Sequence, residues 1–425
     1  MLLTIEKLVY GGDGLARLPA DEHGRGKAVF LPFVLEGESV EASMLEQRPG
    51  FARAQVDKIV TPSPNRILPQ CSYFLRCGGC HYQHISYRHQ LETKAAILKE
   101  NLRRIAKLEL EAEPIVHGGP EWNYRNRTRL KVQNQPNFAI GYYRPNSHEL
   151  LPVKQCPISS PLINRAISAL WEREGWAAEG IHEIELFANA EDTQLLLETY
   201  CSHDISEEAA RQAAENLRTI LPEVAGVVMF RGKTPDAAHT LVVGVRDLAY
   251  NTQLGSYRVS AGSFFQTNRH LLGELLRMVT NGFSGNMALD LYAGVGLFSN
   301  VLARSFAQVV AVESSPTAHA DLLYNSARNV KAVRSTTDQF LKNRAANLQP
   351  DLVVVDPPRN GLGEMVVRGL AGLGARGITY VSCDPATVSR DLAGLLNAGY
   401  RIQQAHVLDL FPHTYHLESV FHLLR

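Results

Sequence analysis

Cys383 stands between an apolar run, Ile378 to Ser382, and the pair Asp384 and Pro385. Asp suits a helix N-cap and Pro the first helical position, so the spacing predicts a helix from Pro385 towards Leu396 with the thiol just before it. The positive end of a helix dipole favours a thiolate, which predicts a nucleophilic sulfur with a pKa below the free value of about 8.5. A second apolar run, Asp351 to Val355, ends on Asp356-Pro357-Pro358-Arg359, and a third, Ala288 to Tyr292, leads into Ala293-Gly294-Val295-Gly296. Glycines at such a bend let the backbone turn tightly and approach a ligand. Glu313, ending the next apolar run, can accept hydrogen bonds from ribose hydroxyls. A dinucleotide site would want a third glycine near position 299, where Ser299 stands.

These residues need a frame that brings strand ends together. From about residue 262 the chain alternates strand and helix, with strands at Ala288 to Tyr292, Gln308 to Val312, Asp351 to Val355 and Ile378 to Ser382. That alternation predicts a doubly wound, mainly parallel sheet with its ligands at the carboxyl ends of the strands. The first 60 residues read instead as short strands with a Gly11-Gly12-Asp13-Gly14 turn, the pattern of a small closed β-barrel. Pro62, Pro64 and Pro69 then mark a linker. Between barrel and sheet lie a helix over Tyr87 to Leu108, with apolar residues at Leu91, Ala95, Leu98, Leu102 and Ile105, a hairpin region over 122 to 155, and further strands and helices.

The chain has 425 residues, 43 Lys+Arg against 43 Asp+Glu, and six cysteines. Its length predicts two or three domains, and its composition is globular. No stretch approaches the roughly 18 apolar residues of a membrane span, so a cytoplasmic protein is expected. The zero net charge hides unlike parts: residues 63 to 160 hold 14 basic and 7 acidic residues and no Asp. Within them Arg125, Arg127, Arg129 and Lys131 recur every second residue, which puts all four on one face of a strand. Four like charges repel one another, and the row is read as a phosphate track for RNA, with Tyr142, Tyr143 and Arg144 adding stacking and charge. Cys71, Cys77 and Cys80 share a loop with Gly78 and Gly79, and Cys156 stands alone before Pro157. Three thiols on one tight loop point to a metal site. Zinc held by these three plus Cys156, His81 or His84 is one solution, and an iron-sulfur cluster is another.

Taken in order, Phe264-Phe265-Gln266-Thr267-Asn268, Asp290 to Gly296, Asp356 to Arg359, Tyr380 to Pro385 and His413-Thr414-Tyr415-His416-Leu417-Glu418 resemble the RNA uridine-C5 methyltransferase family. The front end is similar to the TRAM RNA-binding barrel. The resemblance implies an α/β class I (Rossmann-like) methyltransferase domain over 259–425, behind a TRAM/OB-like barrel over 1–62 and a central α+β domain over 63–258. It also implies that helix 87–108 packs on the catalytic domain.

In chemistry, the resemblance implies S-adenosylmethionine as cofactor, Cys383 adding to C6 of uracil, and Glu418 removing the C5 proton. Gln266, Tyr292, Gly294, Gly296, Glu313 and Asp356 would contact the cofactor or orient the base. Cys71, Cys77, Cys80 and Cys156 would carry a 4Fe-4S cluster in a structural role. Among cluster-bearing members with a TRAM barrel, 23S rRNA is the favoured substrate, tRNA is the runner-up, a non-catalytic RNA-binding protein with the same fold is the alternative of another class, and the chain is expected to be a monomer. Arg359 stands where cytosine-C5 enzymes carry a second Cys, which favours uridine. Two residues depart from the family pattern: Asp384 replaces a common Asn, and Leu297 replaces a polar contact, leaving it only a backbone role.

Overall fold

The computed structural model describes residues 1–19, 26–172, 180–202, 205–232, 240–344 and 348–425. In the front sheet the strand order is Leu2–Thr4, Ser39–Gln47, Phe51–Thr61, Ala28–Pro32, Asp13–Arg17 and Lys7–Leu8. The first and last of these are successive parts of one stretch, so the N-terminal strand occupies both edges and closes the sheet into a barrel. Small inward residues, Ala16, Ala42, Ala52 and Ala54, let it close tightly around Leu3, Ile5, Val29 and Leu31.

The central sheet runs Leu150–Pro152, Ala139–Tyr143, Arg127–Gln133, Ile181–Ala188, Leu195–Cys201, Val224–Arg231 and Thr240–Gly244. Because side chains alternate across a strand, Leu186 points one way and Phe187 the other. The Leu186 face packs with residues of helices Pro161–Glu172 and Glu207–Ile220. The Phe187 face shares one core with Tyr250, Tyr257 and Val259 of a hairpin and with Leu275, Leu276 and Val279 of the catalytic part. The division expected at 258/259 therefore falls inside the hairpin Asp247–Thr252/Gly255–Ser260 rather than in a linker.

The third sheet has eight strands in the order Val330–Arg334, Phe306–Glu313, Gly285–Leu291, Leu352–Val355, Gly377–Ser382, Glu418–Leu424, Arg401–Leu408 and Ile115–His117. The first five run parallel, and Glu418–Leu424 is antiparallel to Gly377–Ser382. Glu418 thus begins its strand at the edge where the parallel strands end. The eighth strand, Ile115–His117, is lent by the central region and pairs in parallel with Arg401–Leu408. Helix Tyr87–Asn101 and the wider π-helical turn Leu102–Ala106 follow the same pattern, since Leu98 and Leu102 share a core with Val388, Leu392 and Leu395.

On that helix Lys94 is 0 % exposed and donates to Asp409 Oδ1 at 2.6 Å and to the Phe411 carbonyl at 3.0 Å; Asp409 is also 0 % exposed. Burial pushes the Lys94 ammonium down, and the Asp409 carboxylate opposes that. Lys94→Ala strands the Asp409 charge away from water and is expected to cost about 3–5 kcal/mol, read as a lower urea midpoint. The pair Lys94→Met with Asp409→Leu should recover part of that loss.

Candidate active site

The turn after Gly285–Leu291 is left-handed at Tyr292 (φ 65°), Gly294 (φ 55°) and Gly296 (φ 90°). A Cβ on Gly296 would lie 2.8 Å from Leu322 Cδ1 and would sit on a left-handed backbone, so both space and conformation favour glycine there. At Gly294 a Cβ would meet nothing within 4 Å, which marks the open side of the turn. Glu313, ending the adjacent strand, accepts from Gly294 N at 2.8 Å through Oε2 and from Ser315 N at 2.6 Å through Oε1. Each of its oxygens keeps a second lone pair for a ribose hydroxyl. Asp290 is wholly buried and accepts from Ser299 Oγ, while its Oδ1 has no partner among the described residues. Burial pushes Asp290 up to about 7.

Gln266 is buried, and its carbonyl accepts from Asn126 Nδ2 at 3.1 Å. Leu297 is buried in the core, and its carbonyl accepts from the Tyr257 hydroxyl at 3.2 Å. The edge as a whole suits a small cofactor with a ribose. It offers a glycine turn, an acidic acceptor and an orphaned buried carboxylate oxygen.

Cys383 follows strand Gly377–Ser382, and Asp384 caps helix Pro385–Asn397 by accepting from Ala386 N at 2.9 Å and Thr387 N at 2.8 Å. The expected lowering of the Cys383 pKa is corrected. Burial first, then the carboxylates of Glu418, Asp356 and Asp384, push the thiol up to about 12, and Arg359 opposes them. A half-buried sulfur facing three carboxylates outweighs one helix terminus. Ser382 pairs with Ser419 across the antiparallel strands, so residues 383 and 418 adjoin at the same edge. Glu418 is 5 % exposed, and burial, reinforced by Asp356, raises it well above the carboxylate range. Asp356 is pushed up to about 7 by burial and then by Asp290. Asp290, Asp356 and Glu418 thus share one buried edge, and burial shifts each of them towards its protonated form.

The segment from Asp409 to Leu417 brings the chain to Glu418 and is held from many sides. Asn268 Nδ2 donates to the Leu410 carbonyl at 3.0 Å, the Tyr124 hydroxyl to the Pro412 carbonyl at 3.0 Å, and His81 N and Tyr82 N to the His413 carbonyl at 2.8 and 2.9 Å. His413 is left-handed (φ 66°); its amide donates to Gln90 Oε1 at 2.8 Å, and its ring lies 4.0 Å from Trp122. Lys94, Gln90 and Tyr124 were not singled out by sequence reasoning. The available signal was Lys94 itself, a charge on the apolar stripe between Leu91 and Leu98.

The expected row of unopposed charges is also corrected. Strand Ile181–Ala188 sets Glu183 opposite Lys131 and Glu185 opposite Arg129. Arg129 Nε lies 2.7 Å from Glu185, Arg127 Nε 3.3 Å from Glu185, and Lys131 is bonded to Glu183. Arg127 and Arg129 also lie over the rings of Phe187 and Tyr200 at 4.2 and 4.5 Å. The row therefore faces carboxylates and aromatic rings. Arg127 Nη1 donates to the Ser263 carbonyl at 2.8 Å, and Glu198 accepts from Gly262 N at 3.0 Å. Together they fix the turn that leads into Phe264, which is 68 % exposed, and Gln266.

Arg125 lines a small cavity of ≈ 60 Å³ with Cys71, Cys77, Cys80 and Cys156, closed by apolar groups such as Phe74 and Ile158. The Cys156 thiol raises each of the other three, so the four are neighbours. His81 and His84 point elsewhere, His81 against Tyr415 and His84 against Phe33 and Phe74. Among the described residues no three His, Cys, Asp or Glu side chains are close enough to grip a single ion.

A glycine turn without a pyrophosphate loop, beside a thiol and a buried carboxyl on one sheet edge, defines an S-adenosylmethionine-dependent methyltransferase. Residues 86–425 match the family described as tRNA (Uracil-5-)-methyltransferase, and residues 1–56 match the TRAM domain. An uncharacterized RNA methyltransferase of Aquifex aeolicus is 33% identical, covering 98% of this chain and 97% of its own. The 23S rRNA (uracil(1939)-C(5))-methyltransferase RlmD of Burkholderia pseudomallei is 32% identical, covering 99% and 94%. The tRNA (uracil-54, C5)-methyltransferase of Pyrococcus abyssi, solved with S-adenosyl-L-homocysteine, matches with TM-score 0.76 at 23% identity over 100% of both chains. The chain belongs to the tRNA (uracil-5-)-methyltransferase family and is an RNA uracil-C5 methyltransferase. Among the described residues no helix is long and apolar enough to cross a membrane.

The raised thiol has a pH signature. With Cys383 near 12 in the free protein, its thiolate fraction climbs about tenfold per pH unit from 6 to 9, whereas an ordinary cysteine levels off near 8.5. Alkylation of Cys383 by iodoacetamide, followed by peptide mass spectrometry, should show that unbroken rise, and a plateau below pH 9 would contradict it.

Proposed function

We propose that the chain methylates uridine C5 in 23S rRNA through a covalent adduct at Cys383, with Glu418 as base. The observation that carries this reading is the antiparallel register of Ser382 on Ser419, which sets nucleophile and base on adjoining strand ends. S-adenosylmethionine would be held by Gln266, Tyr292, Gly294, Gly296, Glu313 and Asp356, and would supply C5 with its methyl group, its S–CH3 bond breaking to leave S-adenosylhomocysteine. The Cys383 thiol loses its proton to solvent, its sulfur bonds to C6, and the C5–C6 π electrons move onto C5, which takes the methyl group. Glu418 then takes the C5 proton, the double bond re-forms and the C6–S bond breaks, returning the thiolate. A base raised by burial has the proton affinity for this step. The rRNA assignment rests on near-full-length relatives named for 23S rRNA at 30% and 32% identity, and such work belongs in the cytoplasm.

Labelled S-adenosylmethionine with unmodified 23S rRNA should give 5-methyluridine, and 5-fluorouridine RNA should give a stable adduct at Cys383. Methylation of tRNA alone would overturn the rRNA assignment. Cys383→Ala should abolish both products, and Glu418→Gln should lower turnover about 10²–10⁴-fold while the protein–RNA adduct accumulates.

Cys71, Cys77, Cys80 and Cys156 would hold a 4Fe-4S cluster. Support comes from four thiols lining one apolar cavity, with the half-buried Arg125 guanidinium beside them to offset the charge of four thiolates. Bound there, the cluster would pin the loop whose next residues, His81 and Tyr82, hold the His413 carbonyl. Anaerobically purified protein should contain iron and acid-labile sulfide in equal amounts, and Cys77→Ser should lower both. Stoichiometric zinc would contradict the assignment.

A further inference from the structure

Tyr10 belongs to the barrel, yet its hydroxyl donates to the carbonyl of Cys383 at 3.2 Å, across 373 residues of chain. The turn that carries it is shaped for that reach. Gly11 and Gly12 are both left-handed (φ 109° and 97°), and a Cβ on Gly12 would press on His81 at 3.2 Å. The Tyr10 ring meets Tyr415 edge-on at 5.4 Å, and His81 packs against the same Tyr415 at 4.6 Å. Tyr415 stands three residues before Glu418. One barrel side chain thus touches the backbone of the nucleophile and the segment that carries the base.

The peptides around Cys383 are otherwise held from within the catalytic sheet. Ser419 Oγ donates to the Ser382 carbonyl at 3.2 Å, and Asp384 N donates to Ser382 Oγ at 3.3 Å. Tyr10 is the contact that comes from another domain. Burial, then Asp384 and Cys383, raise the phenol, so it remains a donor at every working pH. Tyr10 also borders a groove of ≈ 820 Å³ shared by the barrel turn, Gly78, Gly79, Tyr143, Arg144 and His416, open to a polynucleotide lying between barrel and catalytic sheet.

We propose that Tyr10 is a positioning residue: its hydroxyl fixes the Cys383 peptide and with it the direction of the thiol. The inference rests on Cys383 being the nucleophile. In the full-length protein Tyr10→Phe keeps the ring against Tyr415 and removes only the donor. It should lower kcat for RNA methylation, and the rate of adduct formation with 5-fluorouridine RNA, about tenfold, with KM for RNA and for S-adenosylmethionine within twofold of wild type. Lys7→Ala serves as the control, because it loosens the barrel at the 2.8 Å Lys7–Glu100 ion pair without touching the site; its kcat should match wild type.

Three outcomes overturn the inference: wild-type kcat and adduct rate in Tyr10→Phe, an equal loss in Lys7→Ala, or a loss confined to KM for RNA, which would make Tyr10 an RNA contact. Failure of the wild-type protein itself to form an adduct at Cys383 would remove the nucleophile reading, and this inference with it. An active wild type alongside an equally active Tyr10→Phe would remove this inference alone.

Discussion

A lysine ammonium cut off from water holds together the two parts of the chain that make the site. Lys94 comes from a helix before the central sheet, whereas Asp409 and Phe411 begin the segment that ends on Glu418. Neither charge could be buried alone, because a lone ion in such surroundings costs several kcal/mol or more. Burial of the helix, closure of the Asp409–Leu417 segment and formation of the ion pair are therefore one event. Gln90, a turn earlier on the same helix, fixes His413 in a left-handed conformation that a non-glycine residue adopts only under constraint. The catalytic sheet is complete only with the helix and the eighth strand supplied from outside the alternating strand–helix stretch.

The same enclosure sets the electrostatics. Asp290, Asp356 and Glu418 occupy one buried edge, and each raises or is raised by a neighbour. A cysteine among them in the free protein is a thiol. A helix terminus supplies a partial charge near its first turn, but here its cap is Asp384, whose carboxylate returns negative charge to the position beside the sulfur. The resting site is thus poised against ionisation. A raised Glu418 is a weak acid and, once ionised, a strong base, which suits a group that must take a proton from carbon.

What was legible in the sequence was what lies within a few residues of itself. The glycine turn, the Asp384 cap and the polar residues at strand ends each follow from local rules, and the closed barrel follows from short strands and turns. Two readings failed because the deciding partner was distant in the chain. The arginine row looked unopposed because Glu183 and Glu185 enter from a strand more than 50 residues later, and only the register reveals the pairing. Cys383 looked activated because the carboxylate of Glu418 reaches it by an antiparallel pairing that a run of apolar residues does not disclose. The domain limit at 258 failed for a related reason. A hairpin with apolar residues on one face can serve two sheets at once, and Tyr250 and Tyr257 do so.

With the row neutralised, the positive charge of residues 63–160 cannot be read as one surface. Arg125 is half-buried and lines both the cavity of the four thiols and the groove, Arg127 and Arg129 hold carboxylates and rings, and Arg127 also anchors the turn before Gln266. These cations stabilise the parts that carry the chemistry. Arg53, Arg125 and Arg144 all line the groove between barrel and catalytic sheet, with Tyr143, Tyr415 and His416. That groove has walls from the barrel, the cysteine loop, the central hairpin and the segment before Glu418. A nucleotide there would touch all the elements that Lys94, the cysteine loop and Tyr10 hold in register, so binding and alignment of the reacting groups depend on the same contacts.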